Sequence, residues 1–183
     1  LRTRYGADLF DHYVFAIAGD GCLSEGISHE AASLAGHLGL GKLVMIYDDN
    51  HITIDGETDL ALSDDAAARF RSYGWHVLEL GEVGEDLDAL EDGLNEAKAV
   101  TDAPSLVIVR TIIGTPATES ADTHEAHGYA ILDEEIAATK AAMGMPVDET
   151  FHVPSDVLEM YRAAGLRGSI EREAWERRLA VFD

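Results

Sequence analysis

Short apolar runs alternate with amphipathic stretches over the first two-thirds of the chain. The runs predict strands, and the first two are almost continuously apolar, which is typical of strands covered on both faces of a sheet. The predicted strands span residues 13–18, 43–47, 75–80 and 105–111. Because strands that alternate with helices over short loops form parallel sheets, the pattern predicts an α/β fold in which an open parallel sheet is flanked by helices.

Helices are predicted where apolar residues recur at helical spacing. In the first, which runs from about Gly26 to Leu38, the apolar positions include Ile27 and Leu34. Ser63, followed by Asp64 and Asp65, suits a helix start because these side chains accept hydrogen bonds from free N–H groups. The predicted helices lie at about 26–38, 63–73, 87–97, 133–142, 154–164 and 167–182. The stretch 114–128 lacks periodicity and is expected to be a loop.

Composition narrows the classes of partner. The formal net charge is -22, which argues against nucleic acid and against an anionic membrane surface. No apolar run is long enough to span a bilayer. Cys22 is the only cysteine, so no internal disulfide forms, and a reducing, cytoplasmic setting is expected. The chain starts at Leu1 without an initiator Met, which predicts a piece of a longer protein.

Three polar features follow predicted strands. Gly19-Asp20-Gly21 ends the first strand, Asn50 follows the second, and the loop after the fourth carries His124 and His127. In open parallel sheets, ligands bind at the carboxyl ends of the strands. Asp20 and Asn50 offer hard oxygen ligands of the kind that Mg²⁺ or Ca²⁺ takes, and a metal ion would let this acidic chain hold a phosphate.

Each feature alone has an ordinary structural explanation. A lone Gly-Asp-Gly is more often a strand end than a site, and Asp48-Asp49-Asn50 could be a solvated acidic turn. A histidine in a surface loop is common as well. The residues by themselves therefore leave both interpretations open.

The longer segments around these features resemble a known family. Asp20 lies in GDGCLSEGISHEA, Asn50 lies in YDDNHITIDG, and His127 lies in THEAHG. Together with SLAGH, YGWHV and TIIG, in the same order along the chain, these segments resemble the thiamine diphosphate-binding part of transketolases. The resemblance implies the diphosphate-binding (PP) domain of the thiamine diphosphate-binding fold.

The resemblance also implies roles for individual residues. Asp20, Asn50 and the backbone carbonyl of Ile52 would bind Mg²⁺, for which Ca²⁺ could substitute. Gly19 and Gly21 would lie against the diphosphate. Apolar contacts to the cofactor would come from Ile54 and Ile113, although ordinary core packing explains two isoleucines equally well.

Two further residues are catalytic candidates by the same resemblance. His127 would reach both the diphosphate and the sugar substrate, and an imidazole that titrates near neutral pH can donate to a phosphate or move a proton. Glu25, with Glu30, resembles glutamates in a network that links two active sites across a dimer interface. Acidic residues also favour the first helical turn, which is the alternative for both. His124 is interpreted as a surface histidine and Cys22 as a small buried side chain.

The implied activity is transfer of a two-carbon ketol unit from a ketose phosphate to an aldose phosphate. Residues 1–165 would form the PP domain, and 166–183 would be a helical linker towards a pyrimidine-binding domain or subunit that this chain lacks. The complete enzyme would be a homodimer, and this chain alone would be inactive and would expose an apolar surface. Alternatives are the PP domain of a dihydroxyacetone synthase or deoxyxylulose phosphate synthase, or a non-catalytic binding and assembly module.

Overall fold

A computed structural model describes residues 1–128 and 131–182. The chain divides into two compact units: Tyr13–Met143, and Leu1–His12 together with the chain from Gly144 onwards. The elements, in chain order, are α1 (Arg2–Tyr5), β1 (Val14–Gly19), α2 (Asp20–Ser24), α3 (Gly26–His37), β2 (Leu43–Asp49), β3 (Ile52–Thr53), β4 (Gly56–Glu57), a 3-10 turn (Thr58–Leu60), α4 (Ala66–Ser72), β5 (His76–Gly81), α5 (Leu87–Ala99), β6 (Ser105–Arg110), α6 (Glu125–Gly128), α7 (Asp133–Ala142) and α8 (Ser155–Ala180).

The larger unit is built on a four-stranded sheet in the order β1-β2-β6-β5, and every pairing in it is parallel. Strands β3 and β4 form a small antiparallel hairpin directly after β2. The predicted open parallel sheet flanked by helices is confirmed, and the predicted strands match β1, β2, β5 and β6 to within a few residues. The carboxyl ends of β1, β2 and β6 therefore meet at one edge of the sheet.

Each face of the sheet has its own core. On one face Tyr47, Phe70, Trp75 and Leu106 pack with alanines of α3. On the other, Val44, Val107 and Val109 pack with Ala97 of α5. The two faces follow from the alternation of side chains along each strand.

Helix starts follow the predicted capping chemistry. The Asp65 side chain accepts a hydrogen bond from the Ala68 N–H at 2.8 Å and caps α4. Asp86 does the same for α5 by accepting from the Ala89 N–H at 3.0 Å. Each cap supplies a partner for an N–H group that the helix cannot satisfy internally.

The burial of β1 differs from the prediction. β1 lies at one edge of the sheet, where Phe15 is 50% and Ile17 76% exposed, so the prediction that both of its faces are covered is wrong for the described chain. Ile27 and Leu34 of α3 are also exposed, because α3 turns Ala32 and Ala35 towards the core. Small alanines let the helix lie close to the sheet.

The C-terminal region forms one helix where the sequence predicts two. α8 runs unbroken from Ser155 to Ala180, through Gly165 and Gly168. The expected boundary after residue 165 lies inside this helix and stays a prediction. Among the described residues, no helix is long and apolar enough to cross a membrane.

Candidate functional site

Asp20 is the buried centre of the site. It is the first residue of α2, immediately after β1, and it is 5% exposed. The Tyr47 hydroxyl donates to Asp20 Oδ1 at 2.6 Å. The backbone N–H groups of Asn50 and His51 donate to Oδ2 at 3.2 and 3.1 Å. Both carboxylate oxygens are therefore held, and the side chain has a fixed orientation.

Tyr47 reaches Asp20 because of the strand register. Ala18 of β1 pairs with Tyr47 of β2, which places the phenol beside the end of β1, where Asp20 begins the helix. Burial, followed by the hydrogen bond and charge of Asp20, raises the pKa of Tyr47 above its ordinary value. The phenol therefore stays protonated, and its O–H donates a hydrogen bond to the carboxylate.

The turn after β2 brings Asn50 to the same place. His51 adopts a left-handed backbone conformation with φ 63°. This conformation is uncommon for residues other than glycine, but histidine adopts it more often than most of them. Asn50 is 8% exposed, and its Oδ1 accepts from the Ile52 N–H at 2.9 Å. Its Nδ2 donates to Asp48 Oδ2 at 3.2 Å. The amide orientation is fixed by these two bonds, and Asp20, Asn50 and Ile52 lie together.

The donor set fits a hard divalent cation. Asp20 is a buried carboxylate, yet the ion pairs of the described residues give it no cationic partner. Buried charges in proteins are usually paired or coordinate a metal. Asp20 Oδ1 and Asn50 Oδ1 each accept one of these hydrogen bonds, which leaves each a lone pair for a ligand bond. Oxygen ligands of this kind suit Mg²⁺ and Ca²⁺.

The two glycines beside Asp20 leave open space. Gly19 has φ -94°, and a Cβ built there would come no closer than 3.9 Å to its nearest neighbour, the Asp48 carbonyl oxygen. A Cβ at Gly21 would meet nothing within 4 Å. Neither glycine is required by a left-handed conformation or by crowding, and the open space beside both would let a ligand approach the backbone closely.

The two isoleucines predicted to contact the cofactor lie in different settings. Ile54 sits at the turn of the β3–β4 hairpin and is 61% exposed, so core packing does not explain it. Ile113 is half-buried, and its carbonyl oxygen accepts from the Asp122 N–H at 3.0 Å. Ile113 thus belongs to the loop that carries the histidines.

The histidine loop is joined to β2 through the end of β6. The Thr111 hydroxyl donates to Asp48 Oδ1, and the Thr111 N–H donates to the Asp49 carbonyl at 3.3 Å. His127 lies in α6 with an exposed side chain, and its N–H donates to the His124 carbonyl at 3.0 Å. The described hydrogen bonds join Asp20 to Asn50, but none joins the His127 side chain to either.

The remaining predicted residues lie on the surface. Glu25 is exposed between α2 and α3, and its side chain makes no cap hydrogen bond. Cys22 is exposed, so the interpretation as a buried side chain is wrong, because α2 turns Asp20 and Leu23 inwards instead. Sequence reasoning missed Tyr47 as a site residue, and the one signal for it in the sequence is its position at the end of an apolar strand, directly before Asp48.

Two spaces adjoin these residues. One, of about 270 Å³, is lined by Asp20, Tyr47, Asp49, His51 and Arg69 among others. A larger cleft of about 620 Å³ lies at the ends of β5 and β6, against Arg110, Thr111 and Ile112. Among the described residues, no group of three or more His, Cys, Asp and Glu side chains is arranged to hold a metal. A metal here would therefore depend on amide and carbonyl oxygens and on the ligand's own oxygens.

Comparisons with known proteins agree on one family. Residues 2–183 match the family described as transketolase, thiamine diphosphate binding domain. A transketolase of Nostoc sp. is 48% identical over 176 residues, which is 96% of this chain and 26% of that protein. A transketolase of Mycobacterium tuberculosis is 47% identical over 171 residues, 93% of this chain and 24% of that protein.

Solved structures show the same relationship. Transketolase from Leishmania mexicana matches with a TM-score of 0.89 and 37% identity, over 100% of this chain and 27% of that one. A Pichia stipitis transketolase in complex with sedoheptulose 7-phosphate matches with a TM-score of 0.88 and 39% identity, over 94% of this chain and 25% of that one. The chain spans about a quarter of the length of these relatives.

Proposed function

The chain belongs to the transketolase thiamine diphosphate-binding domain family, and from this premise we propose that it forms the Mg²⁺–diphosphate half of a transketolase active site. The observation that carries the proposal is Asp20, a buried carboxylate without a cationic partner among the described ion pairs, held by Tyr47 beside the Asn50 amide. A nearby positive charge would stabilise a buried carboxylate beyond its hydrogen bonds, and it would stabilise the diphosphate of the cofactor as well.

The residues that would hold the group follow from this arrangement. Asp20 Oδ1, Asn50 Oδ1 and the carbonyl oxygen of Ile52 would bind Mg²⁺, or Ca²⁺ in its place. Gly19 and Gly21 would lie against the diphosphate, where their missing Cβ atoms leave room. Ile54 and Ile113 would supply apolar contacts. Once bound, the cofactor supplies the carbon–carbon bond chemistry of ketol transfer, while the protein supplies position and protons.

The proposed substrates are sugar phosphates. A related Pichia stipitis transketolase has been solved with sedoheptulose 7-phosphate, which supports a ketose phosphate as the donor. The proposed acceptor is an aldose phosphate. His127 is proposed to donate a hydrogen bond to the diphosphate or substrate. Its exposed side chain is available for that contact, and an imidazole can also move a proton near neutral pH.

A complete active site needs more than this chain. About three-quarters of the length of the relatives lies outside the matched region, and a pyrimidine-binding domain or subunit is proposed to complete the site, in a homodimer. Glu25 and Glu30, both exposed on α3 or just before it, are proposed to face that partner.

Catalysis is tested by complementation. Two-carbon transfer from a ketose phosphate to an aldose phosphate is measured for this chain alone, and again after addition of a polypeptide that supplies the pyrimidine-binding domain. We expect no turnover from the chain alone and measurable turnover from the mixture, reduced by at least about 100-fold when the mixture contains His127→Ala. If a complex of the two forms and stays inactive, the chain is a binding and assembly module instead.

A further inference from the structure

Glu135 ties helix α7 to the loop that precedes the histidines. Its Oε1 accepts three hydrogen bonds: from the Glu119 N–H at 2.9 Å, from the Ser120 N–H at 2.7 Å and from the Ser120 hydroxyl at 2.9 Å. Glu135 lies in the first turn of α7, so the contact joins residues 15 and 16 positions apart. One carboxylate oxygen thus holds two consecutive backbone amides.

Ser120 connects Glu135 to the part of the loop that carries the histidines. It is 3% exposed, the most buried residue described in the loop. Its carbonyl oxygen accepts from the Thr123 hydroxyl at 2.6 Å and from the Thr123 N–H at 3.2 Å. Thr123 is followed directly by His124 and by α6, which carries His127. A continuous path of hydrogen bonds and adjacent backbone therefore runs from Glu135 to His127.

The rest of the loop is closed independently of Glu135. The Asp122 N–H donates to the Ile113 carbonyl at 3.0 Å, and the Ala117 N–H donates to the Gly114 carbonyl at 2.7 Å. A Cβ built at Gly114 would lie 2.8 Å from the Ala126 Cβ, so α6 packs directly on the backbone there. Loss of Glu135 should therefore loosen Glu119 and Ser120, and with them the Thr123 contact to Ser120, without unfolding the sheet.

The carboxylate of Glu135 is charged at neutral pH. Hydrogen bonds from the Ser120 and Glu119 backbone, and then from the Ser120 hydroxyl, hold the pKa of Glu135 below its ordinary value. Hydrogen bonds to a charged acceptor are stronger than those between neutral groups. A neutral amide at this position would keep an acceptor oxygen but hold the loop less firmly.

We propose that Glu135 is a positioning residue that sets the orientation of His127 by fixing the 119–123 segment of the loop. The role of His127 itself rests on the proposed function, whereas the effect of Glu135 on His127 does not. Glu135 would touch neither cofactor nor substrate, and it would act through Ser120 and Thr123.

The test uses nuclear magnetic resonance on the chain without ligand. Amide hydrogen exchange is measured at Glu119 and Ser120, and the imidazole resonances of His127 are followed as a function of pH. The variants are Glu135→Ala and Glu135→Gln, with Glu134→Gln as the matched control, since Glu134 is an exposed neighbour in the same helical turn. A second arm titrates Mg²⁺ and thiamine diphosphate into each protein.

We expect Glu135→Ala to speed exchange at both amides by about tenfold or more and to move the His127 resonances. Glu135→Gln should give a smaller change in the same direction, and Glu134→Gln none. Glu135→Gln keeps the test valid if the alanine variant fails to fold. Unchanged His127 resonances in a variant that has lost amide protection would overturn the proposal, and so would unchanged amide protection.

Different results would contradict the proposed function and the positioning role of Glu135. A wild-type chain that binds no thiamine diphosphate would count against the proposed function, while the ligand-free resonances would still decide the role of Glu135. A wild-type chain that binds the cofactor, with a Glu135→Ala variant whose His127 signals do not move, would overturn the positioning role alone.

Discussion

The candidate site depends on the hydrogen bonds and charges around one buried carboxylate, that of Asp20. Asp20 receives three hydrogen bonds from neutral donors and no described cation, and Tyr47 supplies the only one of the three that comes from a side chain. A residue that donates a hydrogen bond to a metal-binding side chain orients that side chain and usually changes the affinity for the metal. Tyr47 is expected to act in this way on Asp20, and its raised pKa keeps the proton on the phenol across the physiological range.

Replacing Tyr47 with phenylalanine should therefore weaken Mg²⁺ binding. The substitution keeps the ring and its packing but frees Asp20 Oδ1 to rotate, and we expect about a tenfold loss of metal affinity. Isothermal titration of Mg²⁺ in the presence of thiamine diphosphate measures it. Tyr73→Phe is the control, because the Tyr73 hydroxyl contacts His29 Nδ1 at 3.1 Å, and no described hydrogen bond joins it to Asp20 or Asn50. Equal affinity in wild type and Tyr47→Phe would show that Tyr47 does not orient the ligand.

At the scale of single residues, the sequence predicts the proposed ligands Asp20 and Asn50 but not the Tyr47 side chain that contacts Asp20. Asp20 and Asn50 stand at strand ends, which residue type and position indicate, and the structure brings them together. The sequence predicts Tyr47 only as part of a buried strand, because an aromatic residue in an apolar run is typical of a core position. Only the pairing of Ala18 with Tyr47 shows that its hydroxyl reaches Asp20.

Helix α3 packs closely on the turn before β5. A Cβ built at Gly36 would lie 1.8 Å from the Tyr73 carbonyl oxygen, and the Trp75 indole donates to the Ala32 carbonyl at 2.8 Å. The helix thus lies directly against the turn before β5. A side chain at residue 36 would force apart two backbone segments, neither of which can rotate away.

Gly36→Ala should destabilise the chain strongly. We expect a loss of about 3 kcal/mol or more in the free energy of unfolding, because overpacking against backbone adds to the ordinary cost of strain. Gly26→Ala is the matched control at the start of the same helix, where a Cβ would meet nothing within 4 Å. Urea denaturation followed by circular dichroism compares them. A Gly36→Ala variant as stable as Gly26→Ala would mean that α3 does not pack on Tyr73 as described.

Elements with long periodic patterns were predicted well, and short ones were not. β2 and α5 match because several apolar side chains mark each of them. α2 and the β3–β4 hairpin were missed, since five and two residues are too few to show a period. The sequence predicts two helices in place of α8, because Gly165 and Gly168 weaken the helical pattern, although glycine in an exposed helix costs only about 1 kcal/mol.

For the larger unit, the sheet ends at β1 with apolar side chains uncovered. Phe15 and Ile17 face one side of β1 and Val14 the other, and each is at least 50% exposed. A continuous apolar strand predicts that something covers it, but the pattern does not say what. An open edge with exposed apolar side chains can pair with another chain. The exposed apolar surface that the sequence predicts lies there, and we expect the chain to self-associate through it, against the repulsion of its net charge of -22.

Ile17→Lys should reduce self-association. A lysine on the open strand places a charge where a second copy would pack. Leu87→Lys is the matched control, since Leu87 is 77% and Ile17 76% exposed, but Leu87 starts a helix. Sedimentation velocity at several protein concentrations gives the association state. We expect wild type and Leu87→Lys to associate and Ile17→Lys to remain more monomeric. A wild type that is monomeric at every concentration would contradict the prediction.

The central claim, that this chain holds the diphosphate of thiamine diphosphate through a divalent cation at Asp20, is tested most directly by calorimetry. Thiamine diphosphate is titrated into wild type, Asp20→Asn and Asp88→Asn, with and without Mg²⁺, after circular dichroism has shown each to be folded. Asp88 is an exposed carboxylate on α5, so its variant controls for lost charge. We predict binding that requires Mg²⁺ in wild type and Asp88→Asn, and loss of that binding in Asp20→Asn. Equal binding by Asp20→Asn, binding that needs no metal, or no binding by the folded wild type would contradict the claim.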